Sequence, residues 1–489
     1  MMKHKNHKNK TTYGEVITPP DFARNMLLET LSTSLFKNPA LKWLDIGAGR
    51  GCFGVALRSI LNDTLADAIP DAAARDRHII TRMLHMVEIN PDNVTGYLRP
   101  LFGPDANIHQ ADYLTWDPPP AIHYDAIIGN PPFNCDGAIK VPTNSMTDKH
   151  DDGRTVWPHF VRKTLALMRR CEQGKTATMC ILIPSIWMKP ADKSGIFDEL
   201  ITSEFGTVSG LRCFTSLESN RIFRSGGGAQ TPCCYFAYTY TTNDNDSKCA
   251  VELRDDVSDT GYTPYSVTPP RPIPLCGASI INKLLALMSR TTGHHHVRVF
   301  KTNMPGKGVT LSPGATATEE HTHPCIHSCT ICTVDGNDND NDDMKKLPQL
   351  SIRYSSHPCA YAGVPKIVLA HKMYGYPYLD LAGEYGISNR DSYVIELARG
   401  LNGAPDTAWA VQMMAYLSSP IALMVYDATR YRMQYLERYA FELLPMPPFP
   451  FSDAAHILGL TESELTFLSR RRYRPLQPFP VSDSTFGPA

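Results

Sequence analysis

A glycine-rich run, Asp45-Ile46-Gly47-Ala48-Gly49-Arg50-Gly51, follows a short apolar segment and precedes a helical stretch. Glycines at a strand-to-helix turn let a ligand approach the backbone, and the first N–H groups of the helix are free to bond it. The turn alone is a weak signal, because dinucleotide-binding folds use a similar one. Here the spacing is G-x-G-x-G rather than G-x-G-x-x-G, and Asp45 stands two residues before the first glycine. Glu88 ends the next apolar segment, where a carboxylate can accept both hydroxyls of a ribose. Asp45, Gly47, Gly49, Gly51 and Glu88 therefore suit a nucleoside with no pyrophosphate to cradle. Asp112 ends a third segment and can accept from the ligand's adenine amine, or simply cap a turn. The most specific signal is Asn130-Pro131-Pro132-Phe133, at the end of a fourth.

The elements that must carry these residues read as strands alternating with helices. LKWLDI (41–46), MLHMVEIN (83–90), ANIHQAD (106–112) and YDAIIGN (124–130) are short and apolar, as buried parallel strands require. TATMCILIP (176–184) is a fifth strand, and VSGLRCF (208–214) and TPCCYFAYTY (231–240) can close the sheet. Helical spacing marks 21–36, 52–62, 156–172 and 192–203. This alternation predicts an α/β, Rossmann-like, doubly wound and mostly parallel sheet. A polar break at 241–248 sets the expected boundary near 245, giving a basic disordered tail (1–12), a first domain (13–245) and a second (246–489). Within the second, the acidic stretch near 333–346 reads as a disordered loop.

As a set in this order, the motifs resemble the amino-group DNA methyltransferases, in the adenine-specific class of restriction–modification systems. Gly14-x-x-x-Thr18-Pro19, DIGAGRG, VEIN, ADYL, NPPF and ILIPSIWM (181–188) each resemble a motif of that family, over roughly residues 13–240. The resemblance implies that S-adenosyl-L-methionine is held by Thr18, Pro19, Asp45, Gly47, Gly49, Gly51, Glu88 and Asp112. It implies catalysis by Asn130, Pro131, Pro132 and Phe133 on an adenine flipped out of double-stranded DNA. Less securely, it places Phe223 against the flipped base.

The chemistry explains those residue types. An adenine amine is a poor nucleophile because its lone pair is delocalised into the ring. Acceptance of its two N–H bonds by the Asn130 side-chain oxygen and the Pro131 carbonyl favours a pyramidal, nucleophilic nitrogen. The second proline stiffens the turn, so both acceptors stay placed. Phe133 can stack on the extruded base, and extrusion costs a few kcal/mol. Transfer then gains from proximity and in-line orientation, and needs no metal.

The 489 residues are 42% hydrophobic and 20% charged, with net charge −1. That balance carries no global signature of a nucleic-acid binder, although local patches can still contact phosphates. No apolar run approaches the ~20 residues of a membrane span, and the basic start lacks the apolar segment of a secretory signal. Thirteen cysteines in such a chain point to free thiols in a reducing, intracellular, cytoplasmic setting. Cys325, Cys329 and Cys332, with His321, His323 and His327 nearby, admit a zinc site or ordinary loop thiols; an iron–sulfur cluster fits less well. The run Asp335, Asp338, Asp340, Asp342 and Asp343 lacks the glycine and closing glutamate of a calcium loop and reads as solvated.

The second half is dense in tyrosine and glycine at 371–395 and holds Arg430, Arg432 and Arg438, expected on one helix, and RRRYR at 470–474. Such residues serve base-edge and phosphate contacts, so a mixed α/β target-recognition domain is expected; a packed domain with aromatic core residues is the alternative. No endonuclease site is evident, which leaves a monomeric methyltransferase paired, if at all, with a separate restriction endonuclease. Related motifs also serve enzymes acting on RNA amines or protein glutamine amides, and a non-catalytic DNA-binding relative is a further alternative.

Overall fold

Continuous apolar runs become strands of a sheet covered on both faces, since neither face can be left to water. A computed structural model describes residues 12–120, 122–137, 153–170, 175–190, 195–201, 206–224, 231–241, 250–258, 260–290, 296–334, 345–371, 377–400, 403–432, 436–446 and 454–470. The chain divides into two compact units: residues 1–275 with 431–433, and residues 276–430 with 434–489.

The strands of the first unit are β1 (Trp43–Ile46), β2 (Leu84–Glu88), β3 (Asn107–Gln110), β4 (Ala126–Gly129), β7 (Thr176–Pro184), β8 (Gly206–Phe214), β9 (Cys233–Thr241), β10 (Ala250–Arg254) and β11 (Tyr262–Ser266). Two further short strands, β5 (Asn134–Cys135) and β6 (Arg154–Thr155), pair only with each other. The nine strands form one sheet in the order β11-β10-β8-β9-β7-β4-β1-β2-β3. From β3 through β7 every neighbour is parallel, and β9 runs antiparallel between β7 and β8. The order reverses at β1, whose neighbours are β2 and β4, and the carboxyl ends beside such a switch point are where open α/β sheets take their ligands. Asp45, Glu88 and Asn130 stand at that edge.

Alternate side chains of the strands, Trp43, Leu84, Met86, Ile128 and Leu182 among them, join one core with the helices Pro20–Thr30 and Cys52–Thr64. Each such side chain, fully buried, contributes about 1.5–3 kcal/mol. Phe36 stacks on Trp43 with centroids 5.4 Å apart. On another face, Tyr113 stacks on Phe160 of the helix Trp157–Met168, and its hydroxyl bonds Thr164 at 2.9 Å. The helix expected over 21–36 is two helices, Pro20–Thr30 and Thr33–Phe36, because Ser32 turns extended and caps the second through the Ser34 N–H.

The first unit continues past the boundary expected near 245. β10 and β11 extend the sheet, and Glu29 accepts hydrogen bonds from Arg212 of β8, Tyr235 of β9 and Arg254 of β10 together. Tyr431 belongs to this unit too; it is buried, and its hydroxyl donates to the Ile273 carbonyl at 2.6 Å.

A buried imidazole gives the first unit an acid sensitivity. His85 of β2 stacks on His109 at 6.0 Å and meets the Tyr124 ring edge-on at 5.2 Å. Burial first, then His109 and Lys42, push its pKa down from 6.5 to about 4. The unfolded chain therefore binds the extra proton first. Stability from this group is present above about pH 6.5 and is lost as pH falls toward about 4. His85→Leu should show a smaller drop in denaturant midpoint from about pH 7 to about pH 5 than the parent protein. An equal drop in both would remove His85 as a cause.

The second unit contains a four-stranded antiparallel sheet, β12 (Phe300–Lys301), β18 (Ser392–Glu396), β15 (Lys366–Ala370) and β16 (Pro377–Asp380), in that order. A second sheet pairs β13 (His323–Val334) with β14 (Lys345–Ser355) as a long hairpin and adds β17 (Gly386–Ile387). Val334 opposes Lys345, so the hairpin strands run to the edges of the acidic stretch, whose residues 335–344 lie outside the described ones. Lys366 and Asp380 form an ion pair at 2.6 Å, with side chains 0% and 3% exposed. The remaining donors of Lys366 reach the Tyr361 and Val364 carbonyls, and Asp380 accepts the Glu384 and Tyr385 N–H groups. A buried pair survives desolvation only when its other valences are met in this way.

Arg430, Arg432 and Arg438 do not share a helix. The helix Pro420–Ala428 stops before Arg430, which turns back to Asp427 at 3.1 Å, and Arg438 precedes the separate helix Tyr439–Glu442. Of RRRYR, residues 471–474 lie outside the described ones. Among the described residues no single helix is long and apolar enough to cross a membrane; the pair Thr407–Leu417 and Pro420–Ala428, bent by 56°, meets that length and composition only together.

Candidate active site

The glycine loop is built by its backbone. Gly47, Gly49 and Gly51 have φ of 73°, 56° and 87°, a region that costs other residues energy. The Gly47 and Ala48 N–H groups both bond the Val87 carbonyl, which locks the loop onto β2. The Gly49 N–H donates to Glu88 Oε2 at 2.7 Å, and Glu88 Oε1 accepts the Asn90 N–H at 2.9 Å. Glu88 is thus clamped at the strand end with lone pairs left for hydroxyl donors. Burial, the largest influence, pushes its pKa up, and the N–H groups of Asn90 and Gly49 oppose that.

Asp45 is 1% exposed, and neither carboxylate oxygen makes a hydrogen bond of ordinary geometry, although the Gly54 amide approaches it. Burial, then the Glu88 charge, push it up from 3.8 to about 8; the Gly54 amide pulls the other way. Glu15 Oε2 is likewise buried without a partner, while its Oε1 accepts from Arg50 and Asn93, each at 3.3 Å. Three unmet buried acceptor atoms beside a nucleoside-type loop fit a ligand bearing cationic and N–H or O–H donors. A sulfonium nucleoside with an amino-acid tail is such a ligand.

Asn130-Pro131-Pro132-Phe133 lies directly across from this loop. Pro132 Cδ comes within 3.8 Å of where a Cβ on Gly47 would stand, so the two expected motifs meet. Asn130 is half-buried, and its Nδ2 donates to Thr18 Oγ1 at 3.0 Å. Phe133 packs its half-buried ring against the core, and its carbonyl accepts the Val156 N–H at 3.1 Å. Pro19 caps the helix Pro20–Thr30 through its carbonyl, which accepts the Ala23 N–H.

Asp112 sits beyond β3 on the same edge, tied there by the Ala111 N–H bonding the Glu88 carbonyl at 3.0 Å. Its Oδ1 accepts the Leu114 N–H at 2.9 Å, so the carboxylate caps its own turn. Phe223 is elsewhere: it is 2% exposed, edge-on to Phe22 at 5.4 Å in a cluster with Phe214 and Tyr235. Its ring is occupied by core packing, which corrects the expectation that it stacks on a base.

Cys325 is buried on β13, with its Sγ donating to the Arg353 carbonyl. The side chains of Cys329 and Cys332 lie outside the described ones. Among the described residues no three His, Cys, Asp or Glu side chains gather as metal ligands.

Some site residues escaped the sequence reading. Glu15, Arg50 and Asn93 form a polar bridge beside Glu88, and Ile89 is 46% exposed immediately after it. An apolar side chain at the carboxyl end of a strand, next to a buried carboxylate, was the available signal for Ile89.

Gly14 is required by a close approach. Its φ is 69°, and a Cβ there would lie 1.9 Å from the Asn134 carbonyl oxygen and 2.9 Å from Pro132 Cβ. Gly14→Ala must push the NPPF loop away, so any turnover that depends on this loop should fall by about 10²-fold, as expected for a displacement of about 1 Å. Affinity for a nucleoside ligand of the glycine loop, measured by calorimetry, should change far less. Full activity in Gly14→Ala would show that the loop position is not critical.

Comparison with protein-family models gives no match, nor does comparison with curated protein sequences. Solved structures give partial likenesses. The M protein of the type I restriction enzyme EcoKI is 16% identical, covering 49% of this chain and 48% of that one, with a TM-score of 0.35. The type I restriction-modification methyltransferase subunit from Streptococcus thermophilus is 16% identical over 49% of this chain and 47% of that one, with a TM-score of 0.33. The Type ISP restriction-modification enzyme LlaBIII, solved bound to DNA, is 15% identical over 49% and 19%, with a TM-score of 0.35. The chain thus spans about half the length of the first two. These are likenesses of backbone outline over part of each molecule.

Proposed function

We propose that this protein is an S-adenosyl-L-methionine-dependent methyltransferase acting on the exocyclic N6 amine of adenine in double-stranded DNA. The observation that carries the reading is the closeness of the glycine loop to the NPPF turn, Pro132 Cδ lying 3.8 Å from where a Cβ on Gly47 would stand. A loop suited to a nucleoside thus lies beside a turn whose residue types suit an amine. S-adenosyl-L-methionine, when bound, supplies the methyl group from its sulfonium. Asp45, the loop amides and Glu88 would hold it, and Asp112 would face its adenine. Asn130 Oδ1 and the Pro131 carbonyl accept the two amine protons, which localises the lone pair on nitrogen for in-line attack. Phe133 provides an aromatic edge at the turn for the extruded base. The positive charge left on nitrogen is relieved by loss of a proton past the same acceptors.

The second unit, with one antiparallel and one mixed sheet, is proposed to read the DNA target. Transfer of labelled methyl to DNA, RNA and a glutamine-bearing protein, measured side by side, tests the substrate. Label confined to protein would end the DNA reading, and label confined to RNA would replace it.

A further inference from the structure

The segment Thr12–Thr18 runs beside the NPPF turn and the residues that follow it, meeting them at Thr18, Gly14 and Thr12. Thr18 Oγ1 accepts from Asn130 Nδ2 at 3.0 Å, Gly14 closes on Pro132 and Asn134, and the Asp136 N–H bonds the Thr12 carbonyl at 3.3 Å. Every second residue of the turn, from Asn130 to Asp136, therefore meets this strap. Its other flank carries Glu15 to Arg50 and Asn93, beside the glycine loop. Thr18 itself is 5% exposed, so its hydroxyl bonds Asn130 without competition from bulk water.

We infer that the strap is a positioning element, and that Thr18 is the positioning residue that holds the Asn130 amide with Oδ1 turned toward the incoming amine. A carboxamide has one accepting end and one donating end, of nearly equal shape. In the observed arrangement Nδ2 is on the Thr18 oxygen and Oδ1 is the end left for the amine. A flipped amide would have to take the Thr18 hydroxyl proton on Oδ1 and would present NH2 instead. Without the hydroxyl the amide can rotate, and an NH2 group presented to the amine repels it. This role differs from the cofactor contact expected of Thr18 from sequence, and it rests on the amine-methylation reading above.

Thr18→Val keeps the side-chain shape and removes the hydroxyl; Thr18→Ser keeps the hydroxyl. At saturating cofactor and DNA, single-turnover methyl transfer should fall on the order of 10²-fold in Thr18→Val and stay near the parent rate in Thr18→Ser. The cofactor dissociation constant, from calorimetry with S-adenosyl-L-methionine, should be the same in all three proteins. Weaker cofactor binding with an intact saturated rate in Thr18→Val would overturn the proposal in favour of a cofactor contact. Unchanged rate and affinity would overturn it outright.

A second readout does not depend on activity. In the parent protein labelled with 15N-asparagine, the side-chain NH2 signal that vanishes in Asn130→Ala should exchange slowly with solvent. Thr18→Val should shift that signal and speed its exchange. Fast exchange in the parent protein overturns the proposal even if Thr18→Val fails to fold. Protected exchange without methyl transfer to any nucleic acid keeps the Thr18 role and removes only the substrate reading.

Discussion

Asn130→Ala is expected to lower methyl transfer to DNA by about 10²–10³-fold while leaving cofactor affinity unchanged. The reason is geometric. Asn130 directly follows β4, half-buried, with its amide nitrogen on Thr18. In the proposed reaction alanine removes one of the two acceptors that would draw the amine protons, an interaction that strengthens only as nitrogen becomes pyramidal. Loss of such an interaction lowers the saturated rate rather than the affinity. Folding should suffer little, since the one neutral hydrogen bond lost contributes about 1 kcal/mol. The checks are steady-state kinetics with labelled cofactor and a calorimetric cofactor titration on the same sample. A rate within a few-fold of the parent would remove Asn130 from the chemistry.

The second large effect is on cofactor binding and belongs to Asp45. In the ligand-free protein this carboxyl titrates at about 8, because burial and then Glu88 oppose its ionisation. A cation-bearing ligand favours the ionised form, so near neutral pH binding must release a proton. Affinity should rise about tenfold per unit as pH increases toward about 8, then level off. Calorimetry in buffers of different ionisation enthalpy would count the proton released. Asp45→Asn should weaken binding by about 10- to 100-fold above about pH 8 and flatten its pH dependence. A parent protein whose affinity does not vary over this range would show that Asp45 is not the group that meets the cation.

The same carboxyl acts on the unliganded fold with the opposite trend from His85. Its folded pKa, about 8, lies above the ordinary 3.8, so stability from the neutral acid is full below about 3.8 and is lost as pH rises through about 8. His85 loses its contribution as pH falls from about 6.5. Between about pH 4 and 6.5 the two trends offset each other, and above about 6.5 only the Asp45 loss remains. Ligand-free protein should therefore lose stability from about pH 6.5 to about 8, where cofactor should protect most.

The central strands were legible because burial on both faces demands unbroken apolar sequence. WLDI, AIIG and TATMCILIP fall at or within a residue or two of the structural bounds. Their ends then fixed where Asp45, Glu88 and Asn130 had to stand. β10 and β11 were missed because AVELR and YTPYS are half-buried, alternate in polarity and follow a polar break. Their place in the sheet depends on tertiary contacts such as Arg254 with Glu29, which no local pattern announces. Gly14-x-x-x-Thr18-Pro19 stood out as a motif, but its packing did not, for a similar reason: nothing in GEVIT signals that Gly14 will lie against Asn134, more than a hundred residues away. Phe223 misled because an aromatic residue before a glycine run looks alike whether its ring faces a ligand or the ring of Phe22 in the core. Asp112 could be placed at its strand end, but its turn-capping bond belongs to a conformation that spacing does not dictate.

The hydroxyl of Tyr431 on the Ile273 carbonyl bears on how the molecule can be taken apart. A gene cut at 275 looks like a clean way to obtain the first half, yet it deletes a phenol bonded to the Ile273 carbonyl of that half. The shortened product would carry that carbonyl with its donor gone. Its autonomy is therefore borrowed from three residues encoded far downstream, and dissection of this chain should proceed by point substitution rather than by scissors.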